Sequence, residues 1–299
     1  MNLVAAKVFS RRERSGFRRA ALIGAAFAAM AAGLSGCGAF EDWNPFGAER
    51  YKTIVTPDVP ASQVYDQGLG QLANGAPQEA AKKFTDLGKQ YPGSDWARKG
   101  LIMTTYAQFQ SGDYDSAAES AKRYVKEYPK TQEAAYAKFL EASSYYAQIL
   151  DISRDQERAA NALAAFQTVV KDYPNSEYVD DAKFKIQVTM DQLAGKEMSI
   201  GRFYLNRRNY VAAINRFRAV LSNYQTTRHS EEALYRLVEA YLGLGITDEA
   251  QTAAAILGHN FPDGEWYKNA YALLKSDGLS PAENQASWIS KLYHTVVPS

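Results

Sequence analysis

The sequence predicts an all-α fold, a solenoid of about five helical hairpins that ends in a capping helix. Three observations predict it. An aromatic residue followed by proline recurs along the chain, an alanine precedes each of these sites at one fixed distance, and turn-forming residues lie between the helices of each pair. No segment alternates apolar and polar residues as a strand would, so a helical repeat is the predicted unit.

The aromatic-proline pairs mark the end of each repeat. Their second members, at positions 92, 129, 174, 225 and 262, are 37, 45, 51 and 37 residues apart. The unequal spacing predicts insertions in the middle repeats. The pairs are Tyr91-Pro92, Tyr128-Pro129, Tyr173-Pro174, the degenerate Tyr224-Gln225, and Phe261-Pro262.

An alanine lies twelve residues before each second member, and an aromatic residue often follows four positions later. This spacing resembles the tetratricopeptide repeat, in which the alanine allows two helices to approach closely and the aromatic residue packs into the next repeat. The pattern therefore favours a tetratricopeptide-type solenoid over an unrelated bundle of amphipathic hairpins. It implies a right-handed superhelix whose concave face is formed by the first helix of each pair. The alanines are Ala80, Ala117, Ala162, Ala213 and Ala250; Phe84, Phe166 and Phe217 fill the aromatic position, which Ala121 and Ala254 leave empty.

Turn and cap residues complete the repeat pattern. Glycine and asparagine favour the tight connection between the helices of a hairpin, and serine or threonine favours the start of the next helix. The predicted turns are Asn74-Gly75, Gly112-Asp113-Tyr114, Arg208-Asn209-Tyr210 and Gly245, and the predicted caps are Ser94, Thr131, Ser176 and Ser230.

Residues 1–36 have the pattern of an export signal. Six basic residues precede an apolar run from Ala20 to Gly33, which is shorter than the roughly 20 residues that a membrane-spanning helix needs. Leu34-Ser35-Gly36-Cys37 then matches the bacterial lipobox, which predicts cleavage before Cys37 and lipid attachment to it. An ordinary signal peptide with a coincidental cysteine and an uncleaved anchor are the alternatives.

Residues 37–60 contain several prolines and no helical period, so we interpret them as a tether. A coil of this length spans on the order of 25 to 30 Å. The residue after the cysteine is Gly38 and not aspartate, which favours delivery to the periplasmic face of the outer membrane. The protein is therefore expected to contact the membrane through its lipid.

Residues 61–275 form the predicted solenoid, and residues 276–299 the predicted capping helix and tail. Ser280, Pro281 and Glu283 have the spacing of a capping box with proline at the first helical position. Trp288, Ile289, Leu292 and Tyr293 would share one face of that helix. Covering the last repeat is the favoured role, with partner docking as the alternative.

Composition excludes several functions. Removing six basic residues and one acidic residue of the signal from totals of 34 and 33 leaves 28 and 32, a net charge of −4 that provides no footprint for nucleic acid. No nucleophile, phosphate-loop or metal-ligand motif occurs, and His229, His259 and His294 are scattered. We therefore expect no enzymatic activity, no metal and no cofactor; acidic pairs such as Asp180-Asp181 are interpreted as solvated surface.

Four longer segments stand out beside the lipobox: Tyr91-Pro92 with residues 94–98, residues 193–198 with 201–205, residues 224–229 and residues 258–262. Together they resemble the BamD family of outer-membrane assembly lipoproteins, over roughly residues 37–275. The resemblance implies a scaffold whose N-terminal repeats receive the C-terminal signal of unfolded outer-membrane β-barrel proteins. Its C-terminal repeats would dock on a periplasmic domain of BamA, beside other lipoproteins of the complex. An adapter that coordinates peptidoglycan synthesis is the competing interpretation.

Five residues are candidate contact sites. Tyr65, Leu69, Tyr106 and Phe109 lie on the first helices of the early repeats and would line a groove for the terminal aromatic residue of a substrate peptide. Arg228 lies in an inter-repeat loop, where its guanidinium could bind an acidic site on BamA. Interhelical packing for the first four residues, and simple solvation for Arg228, are the alternatives.

Overall fold

The computed structural model describes residues 59–296 of the chain. The predicted signal peptide, Cys37 and all of the tether before Val59 lie outside the described residues. Within this range the chain forms twelve α-helices and no strand. They are α1 (Ala61–Ala73), α2 (Pro77–Gln90), α3 (Asp95–Gln110), α4 (Tyr114–Glu127), α5 (Glu133–Ala147), α6 (Glu157–Asp172), α7 (Val179–Asn206), α8 (Tyr210–Asn223), α9 (His229–Gly243), α10 (Thr247–Asn260), α11 (Glu265–Ser276) and α12 (Trp288–Val296).

The first ten helices form five successive hairpins, and each helix packs on the next. The predicted helical-hairpin solenoid is therefore confirmed. Four hairpin turns lie where the sequence predicted them, and each contains a residue with positive φ, a conformation that favours glycine. These residues are Gly75, Gly112 and Gly245, with φ between 71° and 79°, and Arg208, with φ of 59°.

Close helix approach in each hairpin depends on the predicted alanines. All five are fully buried, as are the three phenylalanines at the aromatic position. Two of these rings lie against a glycine of the first helix: a Cβ atom at Gly68 would come within 2.5 Å of Phe84, and one at Gly201 within 2.4 Å of Phe217. Glycine is therefore required at both positions because the rings occupy the space of a side chain.

Each second helix ends at the aromatic residue of its pair. The backbone N–H three residues later donates to the carbonyl of that residue, at 3.0 to 3.3 Å. The hydroxyls of Ser94, Thr131 and Thr227 donate to the same carbonyls, at 2.6, 3.0 and 2.8 Å. Serine and threonine therefore close the turn after the repeat.

The prediction that these hydroxyl residues cap the following helix is correct for Ser94 alone, whose side chain accepts the N–H of Ala97 at 3.2 Å. The caps of α5 and α7 are Gln132 and Tyr178, and neither makes a side-chain cap hydrogen bond. Ser230 lies inside α9, where it donates backwards to the carbonyl of Gln225 at 2.7 Å. The predicted caps failed because the helices begin elsewhere: α5 and α7 begin after the residues that follow Thr131 and Ser176, and α9 begins one residue before Ser230.

Both insertions in the repeat period are visible. One is the α5–α6 linker, residues 148–156, and the other is α7, whose 28 residues give it a length of about 42 Å. The first part of α7 packs in the core of hairpin 3 and the second part in the core of hairpin 4. The insertions also touch each other, because the Gln192 side chain donates to the carbonyl of Leu150 at 2.9 Å and Lys196 donates to that of Ser153 at 3.0 Å.

The chain end folds back along the fifth hairpin. After α11, which packs on α9 and α10, residues 279–287 run without helix along α10 to α12. Ile289 and Tyr293 are buried in the C-terminal core. The Trp288 indole N–H donates to the Tyr241 hydroxyl at 2.9 Å, and Arg218 lies over the Trp288 ring at 4.6 Å. The predicted apolar face therefore covers the last repeats.

The predicted start of this helix at Ser280 and Pro281 is wrong, because α12 begins at Trp288. Tertiary hydrogen bonds hold the intervening residues in another conformation. Gln251 donates from its side chain to the carbonyl of Ser280 at 2.8 Å and accepts the N–H of Ala282 on its own carbonyl at 3.3 Å. Glu283 instead accepts hydrogen bonds from Ser290 and His294 of α12.

Candidate protein-docking surfaces

The first predicted groove residues, on α1, differ in their exposure. Tyr65 is half-buried between Phe84 and Trp96, with ring centroids 5.5 and 5.6 Å away. Burial, followed by the nearby Asp66 carboxylate, raises the pKa of Tyr65. Leu69, one turn later, is 38% exposed. Tyr65 therefore joins two hairpins, whereas Leu69 is available to a ligand.

The two predicted groove residues on α3 have separate surroundings. Phe109 packs edge-on against Tyr114 of its own hairpin, with ring centroids 5.5 Å apart. Tyr106 is half-buried near Tyr136 of α5. The four residues therefore share the first-helix face of hairpins 1 and 2 but do not form one cluster.

A larger aromatic cluster lies on the next hairpin, and the sequence analysis missed it. Tyr178 lies 5.3 Å from Tyr136 and 5.1 Å from Phe139, between ring centroids. Burial, with smaller contributions from Tyr106 and Tyr178, raises the pKa of Tyr136 to about 12. Lys185 of α7 approaches Phe139 to 5.4 Å, a cation–π contact. The three-residue spacing of Tyr136 and Phe139 is the signal that could have revealed this surface.

Arg228 lies on the loop between α8 and α9, with 79% of its side chain exposed. Its Nη2 contacts the Asp191 carboxylate of α7 at 3.0 Å. The loop is further fixed by Gln187, whose side chain donates to the carbonyl of Thr226 at 3.0 Å and accepts from its hydroxyl at 3.3 Å. The guanidinium is therefore presented at a defined position.

His229, the residue after Arg228, also holds this loop against α7. Its side chain is largely buried, and its Nε2 lies 3.8 Å from Asp191. Burial lowers the pKa of His229, while the Asp191 carboxylate acts in the opposite direction. The imidazole is therefore favoured in its neutral form.

The first-helix face of the C-terminal hairpins carries paired charges. Glu232 of α9 accepts from Arg202 of α7 at 2.9 Å and from Arg236 at 3.2 Å, and Arg236 also contacts Glu239 at 2.7 Å. Arg236 lies over the ring of Trp266 at 5.2 Å. These charges satisfy one another, unlike the aromatic face of the early hairpins.

Among the described residues no group of three or more histidine, cysteine or carboxylate side chains could hold a metal ion. No helix in residues 59–296 is both long and apolar enough to cross a bilayer. The surfaces above are the features that suit protein recognition.

Comparison with known proteins assigns the family. The YfiO model, described as outer membrane lipoprotein, matches residues 57–256. The outer membrane protein assembly factor BamD of Caulobacter vibrioides is 44% identical over 253 residues, which cover 85% of this chain and 80% of that protein. The chain belongs to the BamD family of outer-membrane protein assembly factors.

Two further proteins illustrate the range of similarity. The BamD of Rickettsia prowazekii is 39% identical over 243 residues, which cover 81% of this chain and 92% of that protein. The crystal structure of TTC0263, a thermophilic TPR protein of Thermus thermophilus, shares 19% identity at a TM-score of 0.32 and covers 72% of this chain and 98% of that one. The YfiO match begins before α1 and ends within α10.

Proposed function

We propose that this BamD-family chain is a lipid-anchored periplasmic scaffold of the outer-membrane β-barrel assembly complex. It binds BamA, other assembly lipoproteins and unfolded barrel substrates, and it catalyses no reaction. The observation that carries the proposal is the family match, which runs from before α1 into α10 of a solenoid whose first-helix surfaces differ in chemistry between its two halves. Its decisive test is a mild-detergent pull-down of the tagged protein from its own outer membranes, followed by mass spectrometry.

Near-equal recovery of BamA is the expected result. Recovery of peptidoglycan enzymes or another envelope complex in its place would contradict the assembly role and support the adapter alternative. The same preparation tests the anchor, because attachment at Cys37 predicts a diacylglycerol-modified N-terminal peptide. Replacing Cys37 with serine should release the protein from the membrane fraction, since the lipid chains supply the membrane affinity.

For substrate binding we propose the first-helix face of hairpins 1 and 2. Leu69 and Tyr106 expose apolar surface there, as a groove for an aromatic peptide terminus requires. We expect Leu69→Ser and Tyr106→Ala each to reduce crosslinking of a barrel C-terminal peptide several-fold, on the order of 1 kcal/mol. Val211→Ser, an exposed apolar residue of α8, is the matched control.

Phe109→Ala separates binding from packing, because its ring contacts Tyr114. A loss of crosslinking that accompanies a loss of helical signal would mark a packing role for Phe109. Unchanged crosslinking in both Leu69→Ser and Tyr106→Ala, with the fold intact, would reject the groove.

For BamA binding we propose Arg228. A bidentate guanidinium–carboxylate pair is lost on charge reversal, so Arg228→Glu should copurify at least about tenfold less BamA. Arg208→Glu reverses the charge of another exposed loop arginine and should copurify the normal amount. Equal recovery of BamA by both variants would show that Arg228 is not a contact residue.

A further inference from the structure

One cation on the first helices of the early hairpins has no carboxylate partner. Helices α1, α3 and α5 together carry three basic residues, Arg98, Lys99 and Lys138. Arg98 contacts Glu133 at 2.8 Å, and Lys138 contacts Glu141 at 2.9 Å. Lys99 is exposed and forms no ion pair with a carboxylate of residues 59–296. Its charge is therefore available to an external anion.

The Lys99 ammonium group lies above an aromatic pair that links hairpins 1 and 2. Its Nζ is 5.0 Å from the centroid of the Trp96 ring. The ring centroids of Trp96 and Tyr65 are 5.6 Å apart. An ammonium group has three N–H donors, and the ring attracts its charge without using all of them, so Lys99 can still bind an anion.

Apolar surface accompanies this charge. Leu69 comes one turn after Tyr65 on α1, and Lys99 comes one turn after Trp96 on α3. The two helices are in contact and run in the same direction, because the antiparallel α2 lies between them in the chain. Leu69 is 38% exposed. An exposed apolar group and an exposed cation therefore follow the aromatic pair on adjacent helices.

A free chain end has the two groups that this arrangement suits. The last residue of a polypeptide carries its side chain and the terminal carboxylate on one Cα atom, so an aromatic ring and a negative charge arrive together. The same residue inside a chain has a neutral amide in place of the carboxylate. An apolar surface beside a cation without a partner can therefore distinguish a chain end from an internal aromatic residue.

We propose that Lys99 binds the terminal carboxylate of the peptide whose aromatic residue enters the first-helix groove. The inference rests on the function proposed above, which takes barrel C-terminal peptides as ligands. Leu69 and the edge of the aromatic pair contact the terminal ring, and the Lys99 ammonium donates a charge-assisted hydrogen bond to the carboxylate. Lys99 is thus a specificity-determining residue that selects the end of a finished chain.

A neighbouring acidic residue acts in the opposite direction. Asp66 follows Tyr65 on α1, and its carboxylate, after burial, helps to raise the pKa of Tyr65. It is therefore close enough to the aromatic pair to repel an incoming carboxylate. Asp66→Asn should tighten binding of a peptide with a free carboxylate by up to about threefold, whereas removal of the Lys99 charge should weaken it.

The test compares two forms of one short peptide from the end of a barrel protein, with a terminal carboxylate or a terminal carboxamide. Each form carries a fluorophore at its N-terminus and is titrated with the full lipoprotein in detergent, with anisotropy as the readout. We expect wild type to bind the carboxylate form about three to ten times more tightly. In Lys99→Gln the carboxylate form should bind as weakly as the carboxamide form, whose affinity should not change.

Lys83→Gln is the matched control, because Lys83 is an exposed lysine on α2, the second helix of hairpin 1. It should keep the wild-type preference for the carboxylate form. Since Lys99 and Lys83 are both exposed, the thermal unfolding midpoint should stay near that of wild type in both variants.

Three results would overturn the inference in distinguishable ways. If wild type binds neither form of the peptide, the proposed substrate function fails and the carboxylate site fails with it. If wild type binds both forms equally, substrate binding stands and recognition of the chain end is rejected. If Lys99→Gln keeps the wild-type preference, another cation binds the carboxylate and the role of Lys99 is rejected.

Discussion

The two halves of the solenoid are held together differently. From the second part of α7 onward, twenty buried hydrophobic residues form one continuous cluster that includes α12. The earlier hairpins are divided among four clusters, the largest of eight residues and the smallest of three. Hairpins of the same kind therefore share one large hydrophobic core in the C-terminal half, but several small cores in the N-terminal half.

The difference also follows the surface chemistry. The early hairpins place half-buried aromatic residues on their first-helix face, and the later hairpins place paired charges there. In a linear repeat array, stability is the sum of repeat and interface contributions, so small clusters allow local opening. We expect the N-terminal half to adapt its shape more readily than the C-terminal half, and three measurements examine this contrast.

The largest expected effect comes from truncating equivalent core rings, Phe84 and Phe217. Both are buried, so either change to alanine should cost about 3 to 5 kcal/mol. The affected region should differ, because Phe217 belongs to the large cluster and Phe84 to a small one. Hydrogen exchange measured by mass spectrometry should show faster exchange over α7–α12 in Phe217→Ala, but mainly over α1–α3 in Phe84→Ala. If hydrogen exchange became equally faster throughout the chain in both variants, the division into one large and several small cores would be refuted.

A smaller effect is expected from two glycines of α1. Gly68→Ala would force a Cβ atom against the Phe84 ring and should cost about 1 to 3 kcal/mol. Gly70→Ala meets no atom within 4 Å and should stabilise α1 by about 0.5 to 1 kcal/mol through helix propensity. Urea unfolding of the first hairpin measures both effects: the midpoint should fall in Gly68→Ala and rise in Gly70→Ala. Shifts of the same sign would mean that Phe84 can move aside.

The smallest expected effect is a pH dependence located at His229. Because burial lowers the pKa of His229, the unfolded chain binds its proton more readily, below a pKa of about 6.5. This contribution to stability is present above that value and is lost as the pH falls below it. His229→Gln should lose less stability than wild type between pH 7.5 and 5.5.

His259 is exposed, so His259→Gln serves as the control for that comparison. Its unfolding midpoint should change between pH 7.5 and 5.5 by as much as that of wild type. If His229→Gln and His259→Gln behave alike, burial of His229 has no effect on stability in this range.

Local pattern was sufficient to predict the repeats. The spacing of Ala80, Phe84 and the equivalent residues of the other repeats was enough to predict the contacts between helices. Gly112 predicted a turn because glycine adopts positive φ readily. Gly68 and Gly201 were missed because their role depends on a ring from another helix. The capping box at Ser280 failed for a similar reason, since hydrogen bonds from α10 outweighed a local signal worth about 1 kcal/mol.

The candidate sites were less predictable. Arg228 was identifiable as a loop residue, but its partner Asp191 lies 37 positions earlier on a different helix. Lys99 looks like an ordinary surface lysine in the sequence. Only the ion pairs of Arg98 and Lys138, and the position of the Trp96 ring, distinguish it from the other cations on the first helices of the early hairpins.

The length of α7 affects how the molecule can be divided. Repeat arrays are usually cut, shuffled or shortened at any hairpin boundary, because each unit ends in a loop. Here the single helix α7 packs in the core of hairpin 3 with its first part and in the core of hairpin 4 with its second part. A chimera that exchanges substrate preference between relatives should therefore join before α5 or after α8, because a junction between these points would leave one core half built.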